Sequence, residues 1–235
     1  MPEPVVTGTA APAGAALPAA VLFDMDGTLV DTEQLWWQTA VEIAAELHHP
    51  LTDQDAPEVL GQAVEHTAAH LHRVSGTTLD EAEVAARLGE SFAGKVAAET
   101  VPRPGALALL ASLRDAGVPT ALVSASPRRV VDLVLSAIGR DWFAVTLAAE
   151  DTERTKPAPD PYLAAAERLG LDPAVCLAVE DTPTGVASAS AAGCAVLAVP
   201  STATPMPDGE RITLLASLEQ ADLALLGKLT AAPAV

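Results

Sequence analysis

Short apolar runs alternate with segments of helical periodicity through the second half of the chain. Apolar runs without a polar face are typical of parallel strands that are buried on both sides. The pattern predicts a first strand at 19–23 and later strands at 120–124, 144–148, 176–179 and 195–199. It predicts helices before, between and after the later strands, at 104–116, 128–138, 160–169, 184–192 and 218–226.

A different pattern fills the chain between the first strand and residue 101. Helical periodicity dominates there, no convincing strand is present, and helices are predicted at 35–47, 57–74 and 79–98. The alternation then resumes with a helix in which Pro104 suits the first turn and Gly117 suits the stop.

Alternating strands and helices favour a parallel sheet covered by helices on both faces. We therefore predict an α/β fold with a Rossmann-like parallel sheet core flanked by helices and an inserted all-helical domain. The core would comprise 19–32 and 101–235, and the insertion 33–100.

Composition and charge restrict the partners of this fold. Half of the 235 residues are apolar but only 3% are aromatic, so the core must consist mainly of Ala, Leu and Val. The formal net charge of −18 predicts repulsion of nucleic acid. An anionic ligand would be repelled too, so a site for one would need local positive charge.

The remaining bulk features predict a cytoplasmic protein without membrane attachment. Cys176 and Cys194 adjoin apolar runs with no zinc-binding spacing, which indicates buried free thiols in a reducing compartment. No apolar stretch is long enough to span a bilayer. Residues 1–18 are rich in Ala, Pro and Gly and contain no Lys or Arg, so a disordered tail is predicted in place of a signal peptide.

The first strand ends in two carboxylates, Asp24 and Asp26, separated by one residue. In an extended segment, two such residues point to the same side. Gly27 permits a sharp turn, and Thr28 suits a hydrogen bond within it. The simpler alternative is an acidic turn that caps a helix.

Polar residues also follow the later strands. Ser124 ends one strand, Lys156 lies in a proline-rich loop, and Glu180 and Asp181 follow another strand. Taken singly, Ser124 is better explained as a helix N-cap and Lys156 as an exposed loop residue. The alternative for Glu180 and Asp181 is a solvated pair of loop residues. Ser126, which precedes a proline, fits the N-cap better than Ser124 does.

The acidic residues at the strand ends create an electrostatic problem if they meet. Ligands of parallel sheets bind beyond the carboxyl ends of the strands, where these residues would gather. Two carboxylates about 4 Å apart repel by roughly 4 kcal/mol at an effective dielectric constant near 20. We therefore predict that four acidic residues converge on one hard divalent cation, Mg²⁺. They are Asp24, Asp26, Glu180 and Asp181.

Four strings make the chain resemble the haloacid dehalogenase-like hydrolase superfamily, and within it the β-phosphoglucomutase-like phosphatases, which carry a helical cap after the first strand. The strings are VLFDMDGTLVDTE at 21–33, ALVSAS at 121–126, TKPAPDPY at 155–162 and VEDTPTGVASASAAG at 179–193. The resemblance implies a Mg²⁺-dependent phosphatase that hydrolyses a small phosphorylated metabolite, such as a sugar phosphate, through an aspartyl-phosphate.

The resemblance also implies roles for individual residues. Asp24 would be the nucleophile, and Asp26 the general acid and base. Ser124, Ala125 and Lys156 would hold the phosphoryl oxygens. Dehalogenases and ion-pumping ATPases of the superfamily lack Asp at position 26, so this residue argues against both activities.

The metal ligands implied by the resemblance include one backbone group. Mg²⁺ would be bound by the side chains of Asp24 and Asp181 and by the backbone carbonyl of Asp26. Glu180 would bind it directly or through water.

The insertion, or cap, bears on the substrate. β-Phosphoglucomutases carry a Ser-Arg pair after a cap glycine, but the corresponding stretch here, 61–66, contains no arginine. This difference favours hydrolysis of a monophosphate, with a sugar phosphomutase as the alternative and a non-catalytic protein as a third hypothesis. His66 is expected to line the substrate pocket, although a solvent-facing position or a metal site shared with His70 is also open. A monomer is predicted.

Overall fold

The computed structural model describes residues 17–60, 62–201 and 204–231. A six-stranded sheet forms its centre, in the order β3-β2-β1-β4-β5-β6, and all pairings are parallel. The strands are β1 Ala20–Phe23, β2 Thr120–Val123, β3 Val145–Leu147, β4 Cys176–Glu180, β5 Ala195–Ala198 and β6 Ile212–Leu214. The predicted α/β class is confirmed. The predicted tail lies largely outside the described residues.

Eight α-helices accompany the sheet within the described residues. They are α1 Glu33–Glu46, α2 Val64–Ser75, α3 Glu81–Glu99, α4 Ala106–Asp115, α5 Arg128–Ile138, α6 Asp160–Leu169, α7 Pro183–Ala191 and α8 Leu223–Thr230. None of the helices in this part of the chain has both the length and the apolar character required to cross a membrane.

Both faces of the sheet are covered because successive strand residues point to opposite sides. Phe23, Leu122 and Leu177 belong to one apolar cluster, which α4, α5 and α8 complete. Leu22, Ala121 and Ala178 belong to the other, which α6 and α7 complete. This double burial explains the continuous apolar runs in the sequence.

The helices α1, α2 and α3 lie between β1 and β2 in the chain and share an apolar cluster of their own. Trp36 packs edge-on against Phe92, with ring centroids 5.2 Å apart, and its indole N–H donates to the Val59 carbonyl at 2.8 Å. The chain enters and leaves this helical insertion side by side, since Arg103 N–H donates to the Leu29 carbonyl. The proposed division at residues 33 and 100 remains a prediction.

Three element predictions were wrong. The helix predicted to include Pro104 starts at Ala106, because Gly105 adopts a positive φ of 84°, and a Cβ on it would lie 2.4 Å from the backbone nitrogen of Glu219. The helix predicted from residue 57 starts at Val64, after a 3₁₀ turn at Asp53–Glu58. The closing helix runs over Leu223–Thr230 and follows a strand, β6, that was not predicted.

Candidate active site

The adjacent strands β2, β1 and β4 bring their carboxyl ends together, and Asp24 follows the middle one. The Asp24 N–H donates to the Val179 carbonyl at 2.9 Å, which ties this residue to β4. Its carboxylate is buried, and Oδ1 accepts from Lys156 Nζ at 2.6 Å. Oδ2 is also buried but has no hydrogen-bond partner. An unpaired buried carboxylate oxygen is costly, which indicates that this atom faces a ligand position.

Lys156 reaches this point from the loop before α6. Its ammonium lies 2.6 Å from Asp24 Oδ1 and 2.7 Å from Glu180 Oε1, and it donates to the Val123 carbonyl at 2.9 Å. Burial by itself would lower the pKa of Lys156, but the Asp24 and Glu180 carboxylates outweigh it and raise the pKa above the usual value. Lys156 is therefore a permanent positive charge within an acidic site.

Asp24, Glu180 and Asp181 form the acidic cluster of the site, with one oxygen from each lying within 4.8 Å of the others. Burial and the Asp24 charge raise the pKa of Asp181 to about 8, and burial raises that of Glu180. These raised pKa values show that the ammonium of Lys156 alone does not compensate three ionised carboxylates. A hard divalent cation would supply the missing charge and matches a donor set made only of oxygen. The residues present therefore fit a metal ion.

The Asp26 carboxylate is not part of this cluster, so the predicted convergence of four acidic side chains was wrong. Three hydroxyl groups hold it instead: Thr32 donates to Oδ1 at 2.7 Å, and Ser124 and Ser126 donate to Oδ2 at 3.2 and 2.8 Å. Burial, followed by the charge of Asp24, raises the pKa of Asp26. The raised pKa makes Asp26 a better proton donor near neutral pH than an ordinary aspartic acid.

The predicted N-cap role of Ser126 was also wrong. Pro127 is the N-cap residue of α5 and provides no side-chain cap. The Glu150 carboxylate instead accepts the Arg128 N–H, with its two oxygens at 3.0 and 3.2 Å. This frees the Ser126 hydroxyl for Asp26. The only sequence signal for this contact was the position of Ser126 two residues after Ser124, beyond the same strand end.

Gly27 and Thr28 support Asp181. Gly27 has a φ of 84°, and a Cβ on it would lie 2.0 Å from Asp181 Oδ2, so a larger residue cannot occupy this turn without displacing the carboxylate. The Thr28 hydroxyl, expected to bond within its own turn, donates to Asp181 Oδ1 at 3.4 Å. Ser201, which the sequence did not identify, donates to Asp181 Oδ2 at 2.5 Å.

Glu180 is supported by residues that the sequence left without a role. The Tyr162 hydroxyl donates to Glu180 Oε1 at 2.5 Å. Gly185 in α7 lies so close that a Cβ on it would approach Glu180 Oε2 to 1.9 Å. Glu180 is entirely buried. Its position therefore depends on a helix that carries glycine at this point.

Replacing Gly185 with Ala should destabilise the protein by about 1–3 kcal/mol, the usual cost of overpacking. The added methyl group would push against a carboxylate that Lys156 and Tyr162 hold in place. Urea unfolding of the metal-free protein measures the loss. Gly94→Ala is the matched control, because nothing lies within 4 Å of its added Cβ in α3. The control should be stabilised by about 0.5–1 kcal/mol, and equal effects of the two changes would contradict the steric argument.

Two predicted substrate-binding residues lie outside this hydrogen-bonded group. Ala125 is exposed in the loop between β2 and α5. His66 is half-exposed on α2, where its Nε2 lies 2.7 Å from Glu58 Oε2. His70 is buried, and its Nε2 lies 3.0 Å from Asp55 Oδ1. Each histidine thus pairs with its own carboxylate. Gly61, at the start of the predicted specificity stretch, lies outside the described residues.

Comparison with known proteins shows the family of this protein. A family model described as haloacid dehalogenase-like hydrolase matches residues 18–193. The chain belongs to this family. The match covers all the residues of the acidic cluster, the loop that carries Lys156, and the helical insertion.

The haloacid dehalogenase-like chain is similar to named phosphatases. It is 37% identical to hexitol phosphatase A of Escherichia coli over 206 residues, which cover 85% of this chain and 91% of the relative. Together with the family match, this similarity identifies the chain as a phosphoric monoester hydrolase.

Solved structures share the fold of this chain. CbbY of Rhodobacter sphaeroides, in complex with phosphate, superposes with a TM-score of 0.75 at 28% identity, covering 87% of this chain and 96% of that one. β-Phosphoglucomutase of Clostridium difficile superposes with a TM-score of 0.69 over 91% of this chain and 97% of that one. At 17% identity, the second comparison shows the shared fold alone.

Proposed function

We propose that this protein is a Mg²⁺-dependent phosphatase that hydrolyses a small phosphorylated metabolite through an aspartyl-phosphate on Asp24. The observation that carries the proposal is the unequal environment of the two Asp24 oxygens. Lys156 holds Oδ1, while Oδ2 is buried without a hydrogen-bond partner, and the carboxylate as a whole lies beside those of Glu180 and Asp181. A nucleophile needs one oxygen to orient the carboxylate and another that is free to attack.

In the first step, Asp24 Oδ2 attacks phosphorus and forms the acyl phosphate while the bond to the leaving oxygen breaks. The leaving alkoxide takes a proton from the Asp26 carboxyl group. The raised pKa of Asp26 supports this role, because it keeps a larger protonated fraction available near neutral pH. The hydroxyls of Thr32 and Ser126 hold Asp26 apart from the acidic cluster, where it can serve as a proton donor.

In the second step, the Asp26 carboxylate removes a proton from water. The hydroxide attacks phosphorus, the bond to Asp24 breaks, and inorganic phosphate and the free Asp24 carboxylate are released. Asp26 ends the cycle protonated, and its proton is consumed in the next first step. One residue thus serves as both acid and base, which requires that it remain in contact with the reacting oxygens throughout.

The remaining residues of the site would stabilise the negative charge of the phosphoryl group. Lys156, the Ser124 hydroxyl and the Ala125 backbone would hold the phosphoryl oxygens. Asp24, Glu180, Asp181 and the Asp26 backbone carbonyl would hold Mg²⁺. When bound, the cation supplies positive charge that offsets the repulsion between the acidic cluster and an anionic ester. Phosphoryl transfer depends mainly on such positioning and neutralisation.

The substrate class is proposed from the relatives and the cap. Hexitol phosphatase A is named for a sugar-alcohol phosphate, and CbbY was solved with phosphate. We propose a sugar phosphate or similar monoester, with His66 as a cap residue that contacts it. The lack of arginine between 61 and 66 supports a substrate with one phosphate.

A screen of hexose, pentose and hexitol monophosphates tests the proposal through the release of inorganic phosphate. We expect at least one substrate to be hydrolysed with Mg²⁺, and chelation with EDTA to reduce the rate by about 100-fold or more. Restoration of the rate by excess Mg²⁺ is the control for irreversible damage. Activity unaffected by chelation would contradict the metal requirement, and isomerisation without phosphate release would select a mutase.

A further inference from the structure

Tyr162 is the largest fully buried side chain of the described residues, and it lies beneath the candidate active site at the start of α6. Its hydroxyl donates to Glu180 Oε1 at 2.5 Å. Glu180 is itself fully buried, so this contact lies where water cannot replace it. A hydrogen bond to a buried charged group is among the stronger ones in proteins.

Tyr162 and Lys156 share one acceptor. Lys156 Nζ lies 2.7 Å from Glu180 Oε1, the same oxygen that accepts from Tyr162. The ammonium also lies 5.3 Å from the centroid of the Tyr162 ring, within the range of a cation–π contact. Tyr162 therefore contacts both members of the Lys156–Glu180 ion pair, and Lys156 in turn contacts Asp24.

Two carboxylates compete for the ammonium of Lys156, since Asp24 Oδ1 and Glu180 Oε1 lie at almost equal distances from it. The Tyr162 hydroxyl takes up part of the acceptor capacity of Glu180 Oε1. Without the hydroxyl, Glu180 would rely more heavily on Lys156 for its compensation, because a buried carboxylate needs all its partners. Lys156 would then be drawn away from Asp24.

We propose that Tyr162 is a positioning residue, whose hydroxyl holds Glu180 so that Lys156 remains aligned with Asp24 and with the phosphoryl group. The inference rests on the proposed function, because it assigns a consequence for phosphoryl transfer to a contact outside the reacting atoms. A purely space-filling role predicts a different outcome: phenylalanine would fill the same volume.

The test is Tyr162→Phe, which removes only the hydroxyl. We expect kcat to fall between about tenfold and one-hundredfold, the rate equivalent of one hydrogen bond to a charged group, with KM within about twofold of the parent value. Thr39→Val is the matched control, since it removes a fully buried hydroxyl that donates to the Leu35 carbonyl in α1. The control should retain the parent kcat even if its melting temperature falls.

A double-mutant cycle with Glu180→Gln separates positioning from packing. If Tyr162 acts through Glu180, Tyr162→Phe should cost much less in the Glu180→Gln background than in the parent. Equal losses in both backgrounds, or a parent-like kcat in Tyr162→Phe, would overturn the inference. A lower melting temperature without a lower kcat would overturn it too, because packing alone explains that result.

The proposed function is judged separately in the same assays. Parent activity that Asp24→Asn abolishes, together with an unaffected Tyr162→Phe, rejects the role of Tyr162 and leaves the phosphatase proposal intact. Full activity in Asp24→Asn rejects the proposed mechanism, and the inference that rests on it falls as well.

Discussion

Replacing Asp24 with Asn should reduce phosphate release by about 10⁴-fold or more, because the amide oxygen cannot form an acyl phosphate. The exchange is nearly isosteric, and the amide oxygen still offers an acceptor for Lys156, which contacts Asp24 Oδ1 in the parent. We therefore expect the variant to fold. Circular dichroism checks the fold, and a steady-state phosphate assay on the best substrate of the screen measures the loss.

The control for Asp24→Asn is Asp115→Asn, which makes the same chemical change at the end of α4. The Asp115 side chain is 79% exposed, so its loss should leave turnover unchanged. Acid quenching during turnover of a ³²P-labelled substrate should trap label on the parent protein and none on Asp24→Asn. Full activity in Asp24→Asn, or equal label on both proteins, would falsify the nucleophile assignment.

Replacing Asp26 with Ala should reduce turnover of alkyl phosphates by about 10²–10⁴-fold, the usual contribution of a general acid or base. The loss should depend on the leaving group. p-Nitrophenolate leaves without a proton donor, so the first step should persist with p-nitrophenyl phosphate. The second step still needs a base, so the aspartyl-phosphate should accumulate.

Rapid mixing of Asp26→Ala with p-nitrophenyl phosphate tests this expectation. We expect a burst of p-nitrophenol close to one equivalent of enzyme, followed by slow release. Ser126→Ala is an informative companion, since it removes one of three hydroxyl donors to Asp26 and should give a smaller loss without a burst. Equal losses for alkyl and aryl substrates, without a burst, would remove Asp26 from the role of acid and base.

The sheet was predictable because its evidence is local. Strands buried on both faces must be apolar along their whole length, and the runs before Asp24, Ser124 and Glu180 show this directly. The strand β6 was missed for the opposite reason. It has three residues, lies at the sheet edge, and is only partly buried, so no strong apolar pattern marks it.

The helix starts were less predictable because they depend on distant backbone. Gly105 caps α4 where it lies against Leu218 and Glu219, more than a hundred residues away. Sequence rules for helix starts placed Pro104 in the first turn, because such rules contain no information about the distant backbone at Leu218 and Glu219. The prediction of the α5 cap was wrong for the same reason. The Glu150 carboxylate, which is distant in the sequence, accepts the Arg128 N–H in place of the Ser126 side chain.

By itself, the sequence determined which chemical groups stand at the strand ends. The apolar runs dictate a parallel sheet, and the chain order places Asp24, Ser124, Lys156, Glu180 and Asp181 at its carboxyl edge. Only the tertiary structure decided which of those groups contact one another. Three carboxylates gather with Lys156, while the hydroxyls of Thr32, Ser124 and Ser126 hold Asp26 separately. The physical reason is that the position of each carboxylate depends on its burial, on the charges near it and on the hydrogen bonds that it accepts. Segments that are remote in the sequence supply all three, so the local sequence does not determine them.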